Sequence, residues 1–406
     1  MSTDPDRPAP TLHQSDRVIL DHARCVSGMG CPCDLIVLED ESGDLTAAAL
    51  EATAEHRSAR VHTWSASRSR ILALTERFPR EITDGRLLIP AADADPEEAR
   101  LTAHLAGAGT RPTGEPGAGG RASTAHLALL RLPKALRELD ARARELAAHV
   151  AATDEGTALE IVAGGRVKHM TRSQNEVLAA IFEEVAATRG VGKSRALVAD
   201  GPRVPVAAQE PARGLARVRV RGSDRELALR GVGGVFGGAG ADPGSLLLLR
   251  ALDEARLPAE EVRRAIDLGC GNGLMTAWLA AAFPQAQVLG TDDHLDAVAS
   301  TRASLGAGEL EREGVDVVWD TSLSREETGG ADLILLNPPF HDGTAIDATL
   351  VQDLLDAAAR VLRRGGQLWM VHNSHLRYRP EVENRVGRVQ QMARDRRFTI
   401  LRATRA

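Results

Sequence analysis

Short unbroken apolar runs alternate along this chain with longer stretches in which apolar residues recur every three to four positions. The runs read as buried strands and the periodic stretches as helices packed on one face. Asp34 to Leu38, Arg60 to Trp64, Arg86 to Pro90, His126 to Leu132, Leu159 to Val162 and Arg195 to Val198 are the strands predicted for the first half. Between them fall helices from Leu45 to about His56, from Ser65 to Phe78, from Ala135 to about Ala152 and from Ser173 to Thr188. Thr110 to Gly120 is rich in Gly, Pro and Thr and reads as a surface loop. The alternation predicts an α/β fold built on parallel sheets.

The second half repeats the first. Ala265 to Leu274 can be laid over Ile36 to Leu45, Gln287 to Thr291 over Arg60 to Trp64, and the helix from Val351 to Arg363 over Ala135 to Ala152. Val315 to Trp319, Leu333 to Leu336 and Gln367 to Val371 are further strands. The expectation is two tandem Rossmann-like domains in one chain. A polar, proline-bearing stretch over 1–16 reads as a disordered tail, 17–205 as the first domain, 206–222 as a linker carrying Pro211, and 223–406 as the second domain. Arg217 to Leu229 is a candidate hairpin at the entrance to the second domain. Gly231 to Gly244 reads as flexible, ahead of a helix from Ser245 to Arg256.

Composition changes this picture little. Apolar content of 43% and charged content of 26% suit a globular core, and a net charge of −6 leaves nucleic-acid binding to local patches. Such a patch is offered near the C-terminus by Arg377, Arg379, Arg385, Arg388, Arg394, Arg396, Arg397, Arg402 and Arg405. No apolar run approaches the roughly 18 residues of a membrane span, and the N-terminus has no apolar signal core, so no membrane partner and a cytoplasmic location are expected. Cys25, Cys31 and Cys33 lie close together with His22 nearby, but the spacing matches no common zinc pattern, so they read as plain thiols and no metal is assigned.

The chemistry concentrates between Ala265 and Phe340. A strand ending in Asp267 runs into Gly269-Cys270-Gly271-Asn272-Gly273 and then a helix. Glycines there let the backbone turn sharply and approach a ligand, and the helix start offers free N–H groups. Asp292, at the end of the next strand, can accept both hydroxyls of a ribose. Asp293 is placed to cap the following helix, and Asp320, after the third strand, to accept from an adenine amino group. Cys270 sits where a small side chain fits, with no base beside it to make a nucleophile. The candidate cofactor cradle is therefore Asp267, Gly269, Cys270, Gly271, Asn272, Asp292, Asp293, Asp320 and Asn337.

Asn337-Pro338-Pro339-Phe340 is the most specific stretch. Two prolines end the strand and stiffen the loop. The Asn337 side-chain oxygen and the Pro338 carbonyl can accept from an exocyclic amine, drawing its delocalised lone pair toward an electrophile. Phe340 can stack on the ring. Asn337, Pro338 and Phe340 are thus the candidate catalytic residues, with His341 beside them. The first copy has Asp40-Glu41-Ser42 over the glycines, Ser65 over Asp292 and Leu132-Pro133-Lys134 over Asn337-Pro338-Pro339. It is expected to bind no cofactor and instead to grip RNA or the second copy.

These residues resemble the bacterial ribosomal RNA guanine-N2 methyltransferases that use S-adenosyl-L-methionine, a family with a large-subunit and a small-subunit branch. The resemblance spans nearly the full chain. It rests on Val235-Phe236, Asp267-Leu-Gly-Cys-Gly-Asn-Gly, Asp292-Asp293 with Ala297-Val-Ala-Ser300, Asn337-Pro-Pro-Phe-His341 and Asn373-Ser-His-Leu-Arg-Tyr378, with Leu132-Pro-Lys134 and Val162-Ala-Gly-Gly165 in the first half. It implies a degenerate N-terminal methyltransferase domain and an active C-terminal one, with S-adenosyl-L-methionine as cofactor. The implied substrate is the N2 of a guanine in ribosomal RNA, flipped out or single-stranded. The run from Asn373 to Tyr378 leans toward the large-subunit branch, 23S rather than 16S RNA. Gly237 to Gly240 and Asp242-Pro243 depart from the family's Leu-Asp-x-Gly run. The same Asn-Pro-Pro-aromatic pattern occurs in DNA adenine methyltransferases and in enzymes that methylate a protein glutamine. A non-enzymatic RNA-binding protein would need the second copy to be degenerate as well, whereas its motif is intact.

Overall fold

The computed structural model describes residues 12–107, 125–151, 159–339 and 345–406. Most of the expected tail, the whole Thr110–Gly120 loop, Phe340 and His341 lie outside these residues. The chain divides into two compact units, Met1–Gln209 and Glu210–Ala406.

The first unit begins with α1 (Gln14–Cys25), β1 (Leu35–Leu38), α2 (Asp44–Ala52) and β2 (Val61–Trp64). Then come α3 (Arg68–Arg77), α4 (Pro79–Thr83), β3 (Leu87–Leu88), α5 (Leu101–Leu105), β4 (Leu127–Arg131) and α6 (Leu136–Ala151). It closes with β5 (Glu160–Arg166), α7 (Arg172–Ala179), β6 (Phe182–Ala187) and β7 (Ser194–Pro202). The strand order is β3-β2-β1-β4-β5-β7-β6. The first five strands are parallel, and β7 runs antiparallel between β5 and β6.

The second unit opens with a hairpin, β8 (Ala212–Val220) and β9 (Ser223–Gly231), paired from Ala212↔Gly231 to Val220↔Ser223. It continues through α8 (Pro243–Ala255), β10 (Arg264–Leu268), α9 (Leu274–Ala282), β11 (Gln287–Asp292), α10 (Leu295–Ala307) and β12 (Val315–Trp319). The rest is β13 (Ala331–Leu336), α11 (Ala345–Val361), β14 (Leu362–Asn373), α12 (Arg379–Arg385), β15 (Gly387–Arg394) and β16 (Phe398–Arg405). Its sheet runs β12-β11-β10-β13-β14-β16-β15, the order of the first sheet strand for strand. Two mixed α/β sheets of one topology thus stand in one chain. Among the described residues no helix is long and apolar enough to cross a membrane.

The central strands are apolar on both faces because helices cover both. Leu35 to Leu38 are all fully buried, and so are Ala265, Ile266 and Asp267. Three expectations need correction. The expected linker, 206–222, holds β8, whose inward residues Ala216, Val218 and Val220 are buried in alternation with exposed arginines. The expected tail over 1–16 overlaps α1, where Ser15 and Asp16 are already buried. The expected helix over Ser173 to Thr188 stops at Ala179, and 182–187 is an edge strand. Phe182-Glu-Glu-Val-Ala-Ala has helix-forming residues, but pairing with β7 overrides that local preference.

Candidate active site

The second sheet reverses its direction of winding between β10 and β13: the chain lays down β11 and β12 to one side of β10, then β13 and β14 to the other. In an open parallel sheet, a ligand crevice forms outside the carboxyl ends of the strands at such a switch point. The turn after β10, Asp292 at the end of β11, Asp320 after β12 and Asn337 after β13 all lie at those ends.

The three glycines after β10 do different work. Gly269 (φ +85°) and Gly271 (φ +53°) adopt left-handed backbone, and a methyl group added to either would meet nothing within 4 Å. Their freedom serves the turn and leaves open space beside it. Gly273 (φ +85°) caps α9, and a methyl group there would come within 2.9 Å of the Thr301 backbone on α10, so it lets two helices close together. The turn is pinned by Gly269 and Cys270 N–H groups donating to Thr291 O at 2.8 and 3.0 Å.

Beneath the turn, Asp267 is fully buried. Its Oδ2 accepts from Thr276 Oγ1 at 2.6 Å, and its Oδ1 has no hydrogen-bond partner. Desolvation, with Asp292 nearby, pushes its pKa up to about 7. Cys270 is buried beside these two acids, and burial first, then their charge, holds its thiol well above the ordinary range. That thiol is a neutral packing group. Asp292 receives the Gly271 N–H on Oδ2 and the His294 N–H on Oδ1, each at 3.0 Å. Each carboxylate oxygen retains a second lone pair, so a diol can still be accepted. Burial raises the Asp292 pKa against these two stabilising bonds.

The other predicted cradle residues are engaged with neighbouring loops. Asn272 turns its amide away from the glycine turn and donates to Gly238 O at 3.0 Å and Gly240 O at 2.8 Å. Asp293 accepts from Thr321 Oγ1 at 2.6 Å, and the cap of α10 is His294, whose Nδ1 accepts from Asp296 N. Asp320 has one oxygen on Ser324 Oγ and the other on Arg325 N, holding a turn in which Ser322 and Leu323 are left-handed. These contacts tie loops around the crevice to one another.

The glycine-rich stretch expected to be flexible is strapped down. Arg230, Val232 and Gly234 N–H groups donate to Ser304 Oγ, Ser300 Oγ and Asp296 Oδ2, one ladder of side chains along α10. A methyl group on Gly233 would fall 2.2 Å from Asp296 Oδ2. Asn272 holds the next carbonyls, and the stretch ends at Asp242, the cap of α8. Phe236 stands out from it, 73% exposed.

Asn337 meets the end of that strap. Its Nδ2 donates to Asp242 Oδ2 at 3.0 Å and to Ser245 Oγ at 2.9 Å. A carboxylate only accepts, so the NH2 end must face Asp242. The Oδ1 is thereby turned away from them, and among the described residues nothing donates to it. Asp242 itself is fixed by Ser245 N at 2.8 Å. Asp242 and Ser245 belong to the candidate site through these bonds, and the sequence marks them only by the interrupted run at Asp242-Pro243. Pro338 is buried and Pro339 exposed. The arginines near the C-terminus are partly consumed: Arg385 pairs with Asp356 and Glu381, Arg402 with Gln390, and Arg397 lies over Phe398. A different groove is lined by Arg217, Arg219, Arg225 and Arg250, with Asp224 and Glu226 among them.

The first unit repeats this geometry with other residues, one position out of register with the overlay read from sequence. Glu39 N–H donates to Trp64 O as Gly269 N–H does to Thr291 O, so Glu39 replaces Gly269 and keeps its left-handed backbone (φ +54°). Its carboxylate accepts from Ser65 Oγ at 2.7 Å and Ala66 N at 3.0 Å and pairs with Arg70. Asp40 fills the turn, accepting from Gly43 N, Thr46 N and Thr46 Oγ1 at 2.8–2.9 Å. Leu38 pairs with Leu130 as Leu268 does with Leu336, so Arg131, rather than Leu132, stands in the place of Asn337. It forks onto Asp16 at 2.7 and 2.8 Å and reaches Glu41.

Two family models match the chain, the methyltransferase small domain over residues 226–402 and the RLMG N-terminal domain over 120–203. Ribosomal RNA large subunit methyltransferase G of Streptomyces coelicolor is 34% identical over 282 residues, 68% of this chain and 71% of that protein. Ribosomal RNA small subunit methyltransferase C of Pseudomonas entomophila is 37% identical over 187 residues, 45% of this chain and 52% of that protein. Among solved structures, the Thermus thermophilus 16S rRNA N2 G1207 methyltransferase (RsmC), in complex with AdoMet and guanosine, aligns with a TM-score of 0.68. It is 25% identical and covers 98% of this chain and 93% of that one.

Proposed function

The chain belongs to the ribosomal RNA large subunit methyltransferase G family, and from that premise we propose that it methylates the exocyclic N2 of a guanine in large-subunit ribosomal RNA, in the crevice between β10 and β13. It is an S-adenosyl-L-methionine-dependent enzyme. The cofactor supplies an electrophilic sulfonium methyl group. The residues fit it: open space lies beside Gly269 and Gly271, a carboxylate with spare lone pairs stands at the end of β11, and an unpartnered buried oxygen of Asp267 lies beneath the turn. Gly269 and Gly271 would let the cofactor approach the backbone, and Asp292 would take its ribose hydroxyls.

The observation that carries the reading is the fixed orientation of Asn337. Asp242 and Ser245 hold its nitrogen end, which leaves Oδ1 as an acceptor at the crevice. A guanine N2 is a poor nucleophile because its lone pair is shared with the ring. Oδ1 and the Pro338 carbonyl, each accepting one N–H, orient the amine and return electron density to nitrogen. Transfer then depends on in-line positioning rather than on a strong base. The methylated amine is acidic and gives up its extra proton to solvent water afterwards. Phe340 completes the reading as a stacking surface for the base. A base in a helix cannot reach this loop, so the guanine is flipped out or unpaired. The arginine-lined groove beside β8, β9 and α8 suits backbone phosphates.

The test is methyl transfer from labelled S-adenosyl-L-methionine to naked large-subunit and small-subunit RNA, followed by mapping of the modified guanine. Label confined to large-subunit RNA at N2 is expected. The likeness to RsmC favours small-subunit RNA as the second reading, and label there alone would replace the first. Label in neither RNA would overturn both.

A further inference from the structure

Cys31 and Cys33 lie in the irregular segment between α1 and β1, and His126 directly precedes β4, 95 residues further along than Cys31. β1 and β4 are adjacent and parallel, pairing at Leu35↔Leu127, so the fold brings all three side chains to the N-terminal edge of the first sheet. That edge is opposite the strand ends where the turns lie. One ligand-type atom from each residue falls within 4.8 Å of the others, and all three side chains are half-buried. Cys25, the third cysteine of the sequence cluster, is exposed and outside the group.

We propose that Cys31, Cys33 and His126 bind a zinc ion that clamps the 26–34 segment to the start of β4. Two thiolates and an imidazole are the donor set that borderline-soft Zn2+ prefers. The spacing also fits. Zn–S of about 2.3 Å and Zn–N of about 2.0 Å at a tetrahedral angle put sulfur and nitrogen about 3.5 Å apart. Cys31 Sγ lies 3.6 Å from His126 Nε2, a distance that a thiol hydrogen bond spans and that also suits two ligands of one ion. Binding expels two thiol protons, and the fourth position goes to solvent. The Cys-x-Cys spacing looked unlike a zinc pattern because the third ligand comes from a distant strand. The ion would cross-link segments that no local element joins.

The test is metal analysis and Co2+ substitution of the full chain under reducing conditions. The expected result is about one equivalent of zinc per chain and, after exchange, a thiolate-to-cobalt charge-transfer band. Cys31→Ser and Cys33→Ser should lose the band and His126→Asn should weaken it, while Cys25→Ser should keep it. Variants that still bind S-adenosyl-L-methionine normally but have lost the band support the site. For any variant that fails to fold, hydrogen exchange of the unaltered protein before and after chelation decides instead: faster exchange confined to 26–34 and the start of β4 is expected. No band at saturating Co2+, a band surviving in the double cysteine variant, or unchanged exchange on chelation would each overturn the proposal.

Discussion

The two units share a strand order and a turn geometry, yet one holds an open crevice and the other is filled by its own side chains. At the turn, Gly269 and Gly271 face open space, whereas Glu39 and Asp40 spend their carboxylates on Ser65, Ala66, Gly43 and Thr46. After the fourth strand of each parallel set, a neutral amide leaves an acceptor free, whereas Arg131 is neutralised by Asp16 and Glu41. In both units the partner comes from the start of the helix that precedes the first strand of the sheet, Asp242 and Ser245 at α8 and Asp16 at α1. The framework for positioning a side chain at the strand end is therefore common to both. What separates a site from a scaffold is whether the positioned group has bonding capacity left over.

The largest effect should come from breaking that contrast at its centre. Asn337→Ala is expected to lower methyl transfer by about a thousandfold, the scale of a lost transition-state contact, with S-adenosyl-L-methionine affinity unchanged by calorimetry. The equivalent Arg131→Ala should leave transfer intact. Equal losses in both would dissolve the distinction. Next in size, Asp16→Ala removes the buried partner of Arg131 and leaves it with the exposed Glu41 alone, which should cost about 3 kcal/mol of first-unit stability. Denaturant melts followed by Trp64, which lies in that unit, would measure it.

A third comparison uses pH. Burial, with His62 and His149 beside it, holds the fully buried His104 well below its ordinary pKa. Its folded value is depressed, so its stabilising contribution is present above the unfolded value near 6.5 and is lost as pH falls below it. Asp267 is raised to about 7, so its contribution is full below about 4 and is lost as pH rises through 7. Between pH 5 and 7 these two terms should tilt the units in opposite directions. His104→Gln and Asp267→Asn should each flatten only their own unit's slope in calorimetric scans. A cationic ligand on the outer side of the turn favours ionised Asp267, so cofactor affinity should also rise toward pH 7 and level off above it. Asp267→Asn should remove that rise. Smallest of all, Cys270→Ala should change the transfer rate less than about threefold, because a neutral buried thiol contributes packing alone; a collapse in rate would return Cys270 to the chemistry.

Much of the second unit was legible because its signals are local. Gly269, Gly271 and Gly273 announce their turn by residue type, and Val315 to Trp319 announces its strand by apolar content. Asp242 was not legible in the same way: it lies 95 residues before Asn337 and meets it only once the fold brings the start of α8 to the end of β13. His126 escaped for the same reason. The one-residue error in the overlay had another cause. Glu39 does a glycine's conformational work, so matching by residue type slid the frame to Asp40. The strand at 182–187 was hidden by helix-forming glutamates and alanines that only sheet pairing overrules.

Glu39 has one more consequence. A non-glycine residue held at φ +54° costs about 1 kcal/mol or more, and here the surrounding bonds maintain it. The turn thus keeps its shape with its ligand space filled by side chains. For a protein engineer, the first unit is a mould with its casting still inside. Trimming Glu39 and Asp40 to glycine and restoring an acid at Ser65 would empty the mould without recasting the backbone.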